Sequence, residues 1–377
     1  MLISKFFPAV GGTEAQAMAL SRALIRNGHD VKILTSRLPG TESFETVQDI
    51  PVHRISPHRN FLTSILFIIR GFLHVAFARP RIDIVHAHLF YSPSILASLC
   101  GILLRKKTIS KLGRSGADGD VRRNLATLAG RIKLSIFKRS INLFIAVNEE
   151  IRDELLSIGV PQGRIQMIPN GVDTETFCPA APAEKEKLKS TNSIPFSPCA
   201  LYLGRLIPRK RIHYLIPMWA KVVEKFPDAG LMIVGDGEMR GTLEALVRKL
   251  GIARRVCFTG VVMNPVDYLR CADVFILPSE TEGISNSLLQ AMSCAVPVVV
   301  AKNSGADALI DDERNGFIID VEKADETRKI IERLLASESL RAEIGEGARK
   351  TILERYSIQS VAKEYEKVYC ELLKDDV

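Results

Sequence analysis

The residues with the clearest chemical potential are Arg205 and Lys210, in Gly204-Arg205-Leu206-Ile207-Pro208-Arg209-Lys210, and Glu282, in Pro278-Ser279-Glu280-Thr281-Glu282-Gly283-Ile284-Ser285-Asn286-Ser287. An arginine and a lysine leaving one strand end can converge on a diphosphate, whose charge needs matching wherever water is excluded. Glu282 lies in a small-residue loop at the carboxyl end of a buried strand reading Asp273 to Leu277. The following helix begins around Asn286 and Ser287, and its unpaired N–H groups and positive dipole end suit an anionic phosphate. Gly283, Ile284, Ser285, Asn286 and Ser287 are therefore candidate contacts to a phosphorylated ligand, and Gln290 follows about one turn into the helix. Open α/β sheets bind ligands outside the carboxyl ends of their strands, where this loop falls.

Further candidates are distributed along the chain. Gly11-Gly12-Thr13-Glu14 links a first strand to a first helix, and its glycines allow backbone N–H groups close to a phosphate or sugar. Gly235-Asp236-Gly237 is a tight turn at another strand end and shapes a pocket rather than doing chemistry. In Asp83-Ile84-Val85-His86-Ala87-His88 the two histidines share one strand face. No further ligands at matching spacing accompany them, so no metal site is expected; His86 reads as structural and His88 as able to reach a cleft. Lys111 and Ser115 offer polar contacts after the next strand, and Asp118-Gly119-Asp120 reads as a turn.

Such loops need a rigid frame. Residues 1–176 alternate apolar strand candidates (Leu2 to Phe7, Asp30 to Thr35, Asp83 to His88, Leu143 to Val147) with helical patterns. A second alternating series runs through Ala200 to Gly204, Leu231 to Val234, Val256 to Phe258, Val274 to Leu277, Val298 to Ala301 and Phe317 to Asp320. Continuous apolar runs of this kind predict parallel sheets covered on both faces, so the fold class is α/β with two doubly wound, Rossmann-like domains. The expected boundaries are 1–176, a connection at 177–198 rich in Pro, Ala, Ser, Glu and Lys, and 199–377. Residues 339–373 read as amphipathic helix, and Pro169-Asn170-Gly171 as a turn before the chain changes domain.

Taken together, Glu282-Gly283-Ile284-Ser285, Leu288-Leu289-Gln290-Ala291-Met292, Gly204-Arg205 with Lys210, Gly235-Asp236-Gly237, Gly11-Gly12-Thr13-Glu14 and Pro169-Asn170-Gly171-Val172-Asp173 resemble the motifs of family 4 retaining glycosyltransferases. The resemblance implies the GT-B arrangement, two Rossmann-like domains facing a cleft, with the acceptor on the N-terminal side and the final helix packing back on it. It also implies that Arg205 and Lys210 bind the donor diphosphate, that Glu282 holds donor-sugar hydroxyls and acts in catalysis, and that no metal or other cofactor is used. The donor would be a nucleotide sugar of UDP or GDP type, and the acceptor a glycan or lipid-linked molecule in cell-surface polysaccharide or glycolipid synthesis. Three departures stand out: Gln290 where the family has an acid, no histidine at Thr108 to Gly116, and Ala308 where the family often has Glu. They leave open an alternative, a GT-B scaffold that binds nucleotide or glycan with weak turnover.

Composition bounds these readings. The chain has 377 residues, 46% of them hydrophobic, enough for two cores. Seven scattered cysteines without a C-x-x-C pair predict a reducing cytoplasm. No signal peptide is evident at the start, and Leu2 to Phe7 is short for an opening strand, so a truncated start or an abbreviated edge is expected. Residues 1–180 carry 23 Lys or Arg against 14 Asp or Glu. Nucleic acid is not an expected partner, because no aromatic-interleaved basic motif accompanies that charge. The strongly apolar 61–78 stretch is interrupted by Arg70 and His74, and the basic, apolar 122–144 stretch suits an anionic membrane surface as well as a solvated helix face. Peripheral attachment to the inner face of the plasma membrane is the corresponding expectation.

Overall fold

The structure is a computed structural model that describes residues 1–9, 11–57, 60–116 and 119–374. It divides into two units, Met1–Gly171 with Ile358–Val377, and Val172–Ser357.

The second unit is built on six parallel strands in the spatial order Val256–Gly260, Gly230–Val234, Cys199–Leu203, Val274–Leu277, Val298–Ala301, Phe317–Ile319. In sequence terms this is third, second, first, fourth, fifth, sixth, the order of a doubly wound sheet. Its strands are buried on both faces, as their unbroken apolar runs require: Val274, Phe275 and Leu277 are fully buried, as are Leu201 and Tyr202. Each such side chain contributes about 1.5–3 kcal/mol on burial. The order reverses between Cys199–Leu203 and Val274–Leu277, the switch point at which doubly wound sheets have a crevice outside the carboxyl ends of their strands.

The first unit carries a parallel four-stranded series, Ile84–His88, Lys107–Leu112, Leu143–Ala146, Ile165–Met167, and a three-stranded group in which Ile33–Arg37 pairs with Ile50–Pro57. The expected strand Leu2 to Phe7 is reduced to a bridge. Leu2 pairs with both Leu34 and Ala87, which joins the two groups, and the chain then leaves the sheet.

Three further segments differ from their sequence reading. Within the expected connection at 177–198, Pro182–Thr191 is a helix of the second unit, held by a 2.7 Å ion pair from Lys185 to Asp273, whose carboxylate also accepts from the Cys199 N–H. The 339–373 helix is two helices: Glu338–Thr351, which continues as one wider helical turn over Ile352–Tyr356, and Ile358–Lys374, the two parted by an extended Ser357. The latter helix packs in the first unit, where Val361, Ala362 and Tyr365 share a core with Leu20, Leu24 and Ile109. Gly171 has no left-handed backbone; it is small because a Cβ there would lie 3.0 Å from the Ile358 Cα, and the Gln16 side chain both donates to and accepts from its backbone.

Candidate active site

The crevice of the second unit collects most of the sequence candidates. The chain leaves Cys199–Leu203 through Gly204, and the buried Tyr202 hydroxyl donates to the Arg205 carbonyl at 3.0 Å, fixing the turn. Burial, reinforced by the Glu282 carboxylate, pushes the Tyr202 phenol well up, so it stays a donor. Arg205 is exposed and makes no ion pair among the described residues, while Lys210 closes the short Pro208–Lys210 turn and is buried.

From the neighbouring strand, Val274–Leu277, the loop returns across this turn. The Glu280 N–H donates to the Arg209 carbonyl at 2.9 Å, Arg211 pairs with Glu280 at 3.0 Å, and Lys210 donates to Glu282. The last two side chains are only 11% and 14% exposed, which makes their pairing strong and their separation costly. Gly283, Ile284 and Ser285 lead from Glu282 into the helix Asn286–Ser293, whose amino terminus has no side-chain cap; Ser285 instead shares a hydroxyl bond with Ser287 at 3.1 Å. Gln290 sits half-buried on that helix.

Gly235 and Gly237 are needed where they stand. Both have positive φ, and a Cβ at Gly235 would lie 2.0 Å from the Gly204 carbonyl oxygen. The turn therefore packs against the Arg205 loop, with Leu206 N–H donating to the Asp236 carbonyl at 2.9 Å.

Sequence reasoning did not find the residues that hold the Glu282 loop from behind. Asn303 follows Val298–Ala301, caps the next turn through the Gly305 and Ala306 N–H groups, and donates to the carbonyls of Ser279 and Ala301. Ser304 donates to the Glu282 carbonyl at 3.1 Å. A Cβ at Gly305 would lie 2.2 Å from the Gly283 carbonyl oxygen. The signal was present as an Asn-Ser-Gly cap directly after a strand. Gly305→Ala is expected to displace the Glu282 loop and weaken nucleoside diphosphate binding by about tenfold or more, whereas Gly241→Ala, with nothing within 4 Å of the added Cβ, leaves it unchanged. Calorimetric titration of both variants checks this.

The remaining candidates lie in the first unit. Gly11 precedes the helix Gly12–Arg26 in extended backbone, with the Glu14 carboxylate where a Cβ would project. His88, Lys111 and Ser115, expected to be open to a cleft, are buried. For His88 and Lys111 the reason is the helix Ile358–Lys374. Tyr369 hydrogen-bonds His86 at 2.8 Å, His86 stacks on His88 at 4.7 Å, and the Lys111 ammonium lies 5.7 Å from the Tyr365 ring centroid. Burial holds both histidines well below the usual imidazole range and brings Lys111 down to about 7. Asp118 lies outside the described residues, and Asp120 starts the helix Asp120–Leu125. Among the described residues no cluster of three or more His, Cys, Asp or Glu side chains is placed to hold a metal ion.

A basic pair, a carboxylate and a helix amino terminus lie at the switch point of a doubly wound sheet, the place where such sheets bind ligands. Residues 184–351 match the family described as glycosyl transferases group 1, and residues 10–176 match glycosyltransferase family 4. The chain belongs to the group 1, family 4 glycosyltransferases. It is 26% identical to the N-acetyl-alpha-D-glucosaminyl L-malate synthase of Bacillus anthracis over 98% of this chain and 96% of that one. It is 24% identical to the GDP-mannose-dependent alpha-(1-6)-phosphatidylinositol monomannoside mannosyltransferase of Mycolicibacterium smegmatis over 94% of each. HepE of Anabaena, crystallised with UDP and glucose, has the same fold, with a TM-score of 0.80 at 18% identity over 98% of both chains. This glycosyltransferase therefore has the GT-B fold, and a nucleotide sugar is the family's substrate.

Proposed function

We propose that this glycosyltransferase transfers a hexose from a nucleoside diphosphate sugar to a glycan or lipid-linked acceptor, with retention at the anomeric carbon and without a metal. The observation that carries the reading is the convergence of Lys210 and Glu282 from the two strands flanking the switch point, with Arg205 on the same turn as Lys210, exposed and without an ion pair among the described residues. Charge accumulates on the diphosphate as the glycosidic bond breaks, so cations fixed there bind the transition state better than the donor. Arg205, Lys210 and the backbone N–H groups entering Asn286–Ser293 supply that charge in place of a metal. Glu282 orients donor-sugar hydroxyls, and Gln290 takes the nucleotide ribose, its amide both accepting and donating where a carboxylate would only accept.

In the step, the acceptor oxygen bonds to the anomeric carbon on the face the leaving group departs from. The bond to the phosphate oxygen breaks with its electron pair going to the diphosphate, which takes up the acceptor's proton. The products are a glycoside and a nucleoside diphosphate. The first unit takes the acceptor, with Gly11 and Gly12 at its helix amino terminus as sugar or phosphate contacts. Because the two relatives act on different acceptors, neither acceptor is assigned to this chain. The test is NMR of the anomeric proton during turnover of UDP- and GDP-hexoses. An axial donor giving an axial product is expected; an equatorial product would overturn retention, and no turnover of any donor would favour the scaffold alternative.

A further inference from the structure

The first unit carries an apolar, acid-free surface that the transfer site does not use. The helix Phe61–Phe77 buries Phe67, Gly71 and Val75 on one side. The opposite side would be polar in a solvent-facing helix. Here it carries Leu62, Ile65, Ile69, Leu73 and Phe77, with Phe61 at its start, all between 39% and 78% exposed. The helix has little charge to hold it in water. Its one basic side chain beside the histidine, Arg70, donates to the Ile55 carbonyl, and its start is secured by a reciprocal Asn60–Thr63 cap.

Next to it in the same layer, the helix Ser92–Leu104 packs against both Phe61–Phe77 and Leu128–Ser140. It exposes Ile102 and Leu103 at its end. Leu128–Ser140 repeats the pattern with Leu128, Ile132 and Ile136 at intervals of four, 45% to 75% exposed. None of these three helices contains Asp or Glu. Between residues 50 and 148 the chain has sixteen Lys or Arg against three acids, Asp83, Asp118 and Asp120. Arg123, Arg131, Lys133 and Arg139 flank the apolar row and make no ion pair among the described residues.

We propose that the faces of Phe61–Phe77 and Leu128–Ser140, joined by the end of Ser92–Leu104, rest on a bilayer containing anionic phospholipid. Exposed apolar rows take the acyl boundary, and unpaired basic side chains beside them take the phosphates. The helices lie along the surface rather than through it, because the inner face of Phe61–Phe77 is packed in the unit's core and, among the described residues, no helix is long and apolar enough to cross a membrane. An acidic protein would match the charge but not an apolar row spread over several convex helices, and a second copy of this chain would bring like charge against like.

The test is co-sedimentation with vesicles of phosphatidylcholine alone and of phosphatidylcholine with an equal part of phosphatidylglycerol. Wild-type protein should partition at least about tenfold more to the anionic vesicles, and added salt should weaken this. Ile69→Glu with Leu73→Glu should lower partitioning by about tenfold or more, and Arg131→Glu with Arg139→Glu should remove the preference for anionic lipid. These positions are exposed; unchanged melting and nucleotide binding confirm that the variants fold, and keep this result separate from any failure of the transfer reading. Absent partitioning at low salt, or partitioning indifferent to the Ile69 and Leu73 changes, would overturn the proposal. So would a concentration-dependent dimer that those changes dissociate, which would make a second copy the occupant.

Discussion

Lys210→Ala is expected to lower kcat for sugar transfer by about a hundredfold to a thousandfold, the scale of removing one fixed charge from a developing anion. Nucleoside diphosphate binding should weaken as well, by a smaller factor, since the charge on the diphosphate grows only as the bond breaks. Glu282→Ala should reduce kcat comparably, because a hydroxyl-orienting group touches the sugar, and should weaken nucleotide binding only through the Lys210 it leaves unpaired. The two changes should be far from additive. Lys210 and Glu282 are paired with little solvent access, so removing either leaves the other buried, unpaired and displaced. A double variant little worse than either single one is the expected kinetic result; additive losses in kcat would mean that the side chains act independently and that their pairing is incidental.

Lys111→Met is expected to raise stability near neutral pH by about 2 kcal/mol or more. A tenfold change in proton affinity corresponds to about 1.4 kcal/mol. Burial takes Lys111 from 10.5 down to about 7, so the unfolded chain binds a proton that the folded chain does not hold across that interval. Stability therefore rises with pH from about 7 towards 10.5, and below about 7 the full penalty is in force. The methionine variant should lose that slope. A second slope should survive in it: His86 and His88 stay neutral when buried, so acidification below their ordinary 6.5 protonates the unfolded chain first and lowers stability further. Denaturant melts of both proteins across this range decide the matter, and parallel curves would mean that Lys111 is solvated and not held beside Tyr365.

Much of the second unit was legible in the sequence because its strands are continuous apolar runs, which only a sheet covered on both faces accommodates. Arg205, Lys210 and Glu282 stand out in the sequence by type and spacing, and Gln290 by its place in the motif the chain resembles. Their assembly does not. Lys210 and Glu282 are 72 residues apart, and they meet because the first and fourth strands are neighbours, a property of strand order that no local pattern encodes.

The first unit was read less well. Phe44–Val47 and Ile50–Pro57 form a hairpin through left-handed Gln48 and Asp49, without the glycine that marks such a turn. His88 and Lys111 looked open because they sit at strand ends; they are buried by a helix more than 240 residues further along the chain, whose tyrosines are the reason. The helix inside the expected connection was masked by proline and serine, although proline at the first helical position is a start signal.

The central claim is that the switch point of the Val172–Ser357 unit binds a nucleoside diphosphate through Lys210 and Arg205. Calorimetric titration of UDP, GDP and ADP into the wild type, Lys210→Ala and Arg205→Ala tests it most directly. Selective binding of one nucleotide, weakened by about tenfold or more in each variant, is the predicted result. Binding of equal strength in wild type and both variants, or no binding of any of the three, would contradict it.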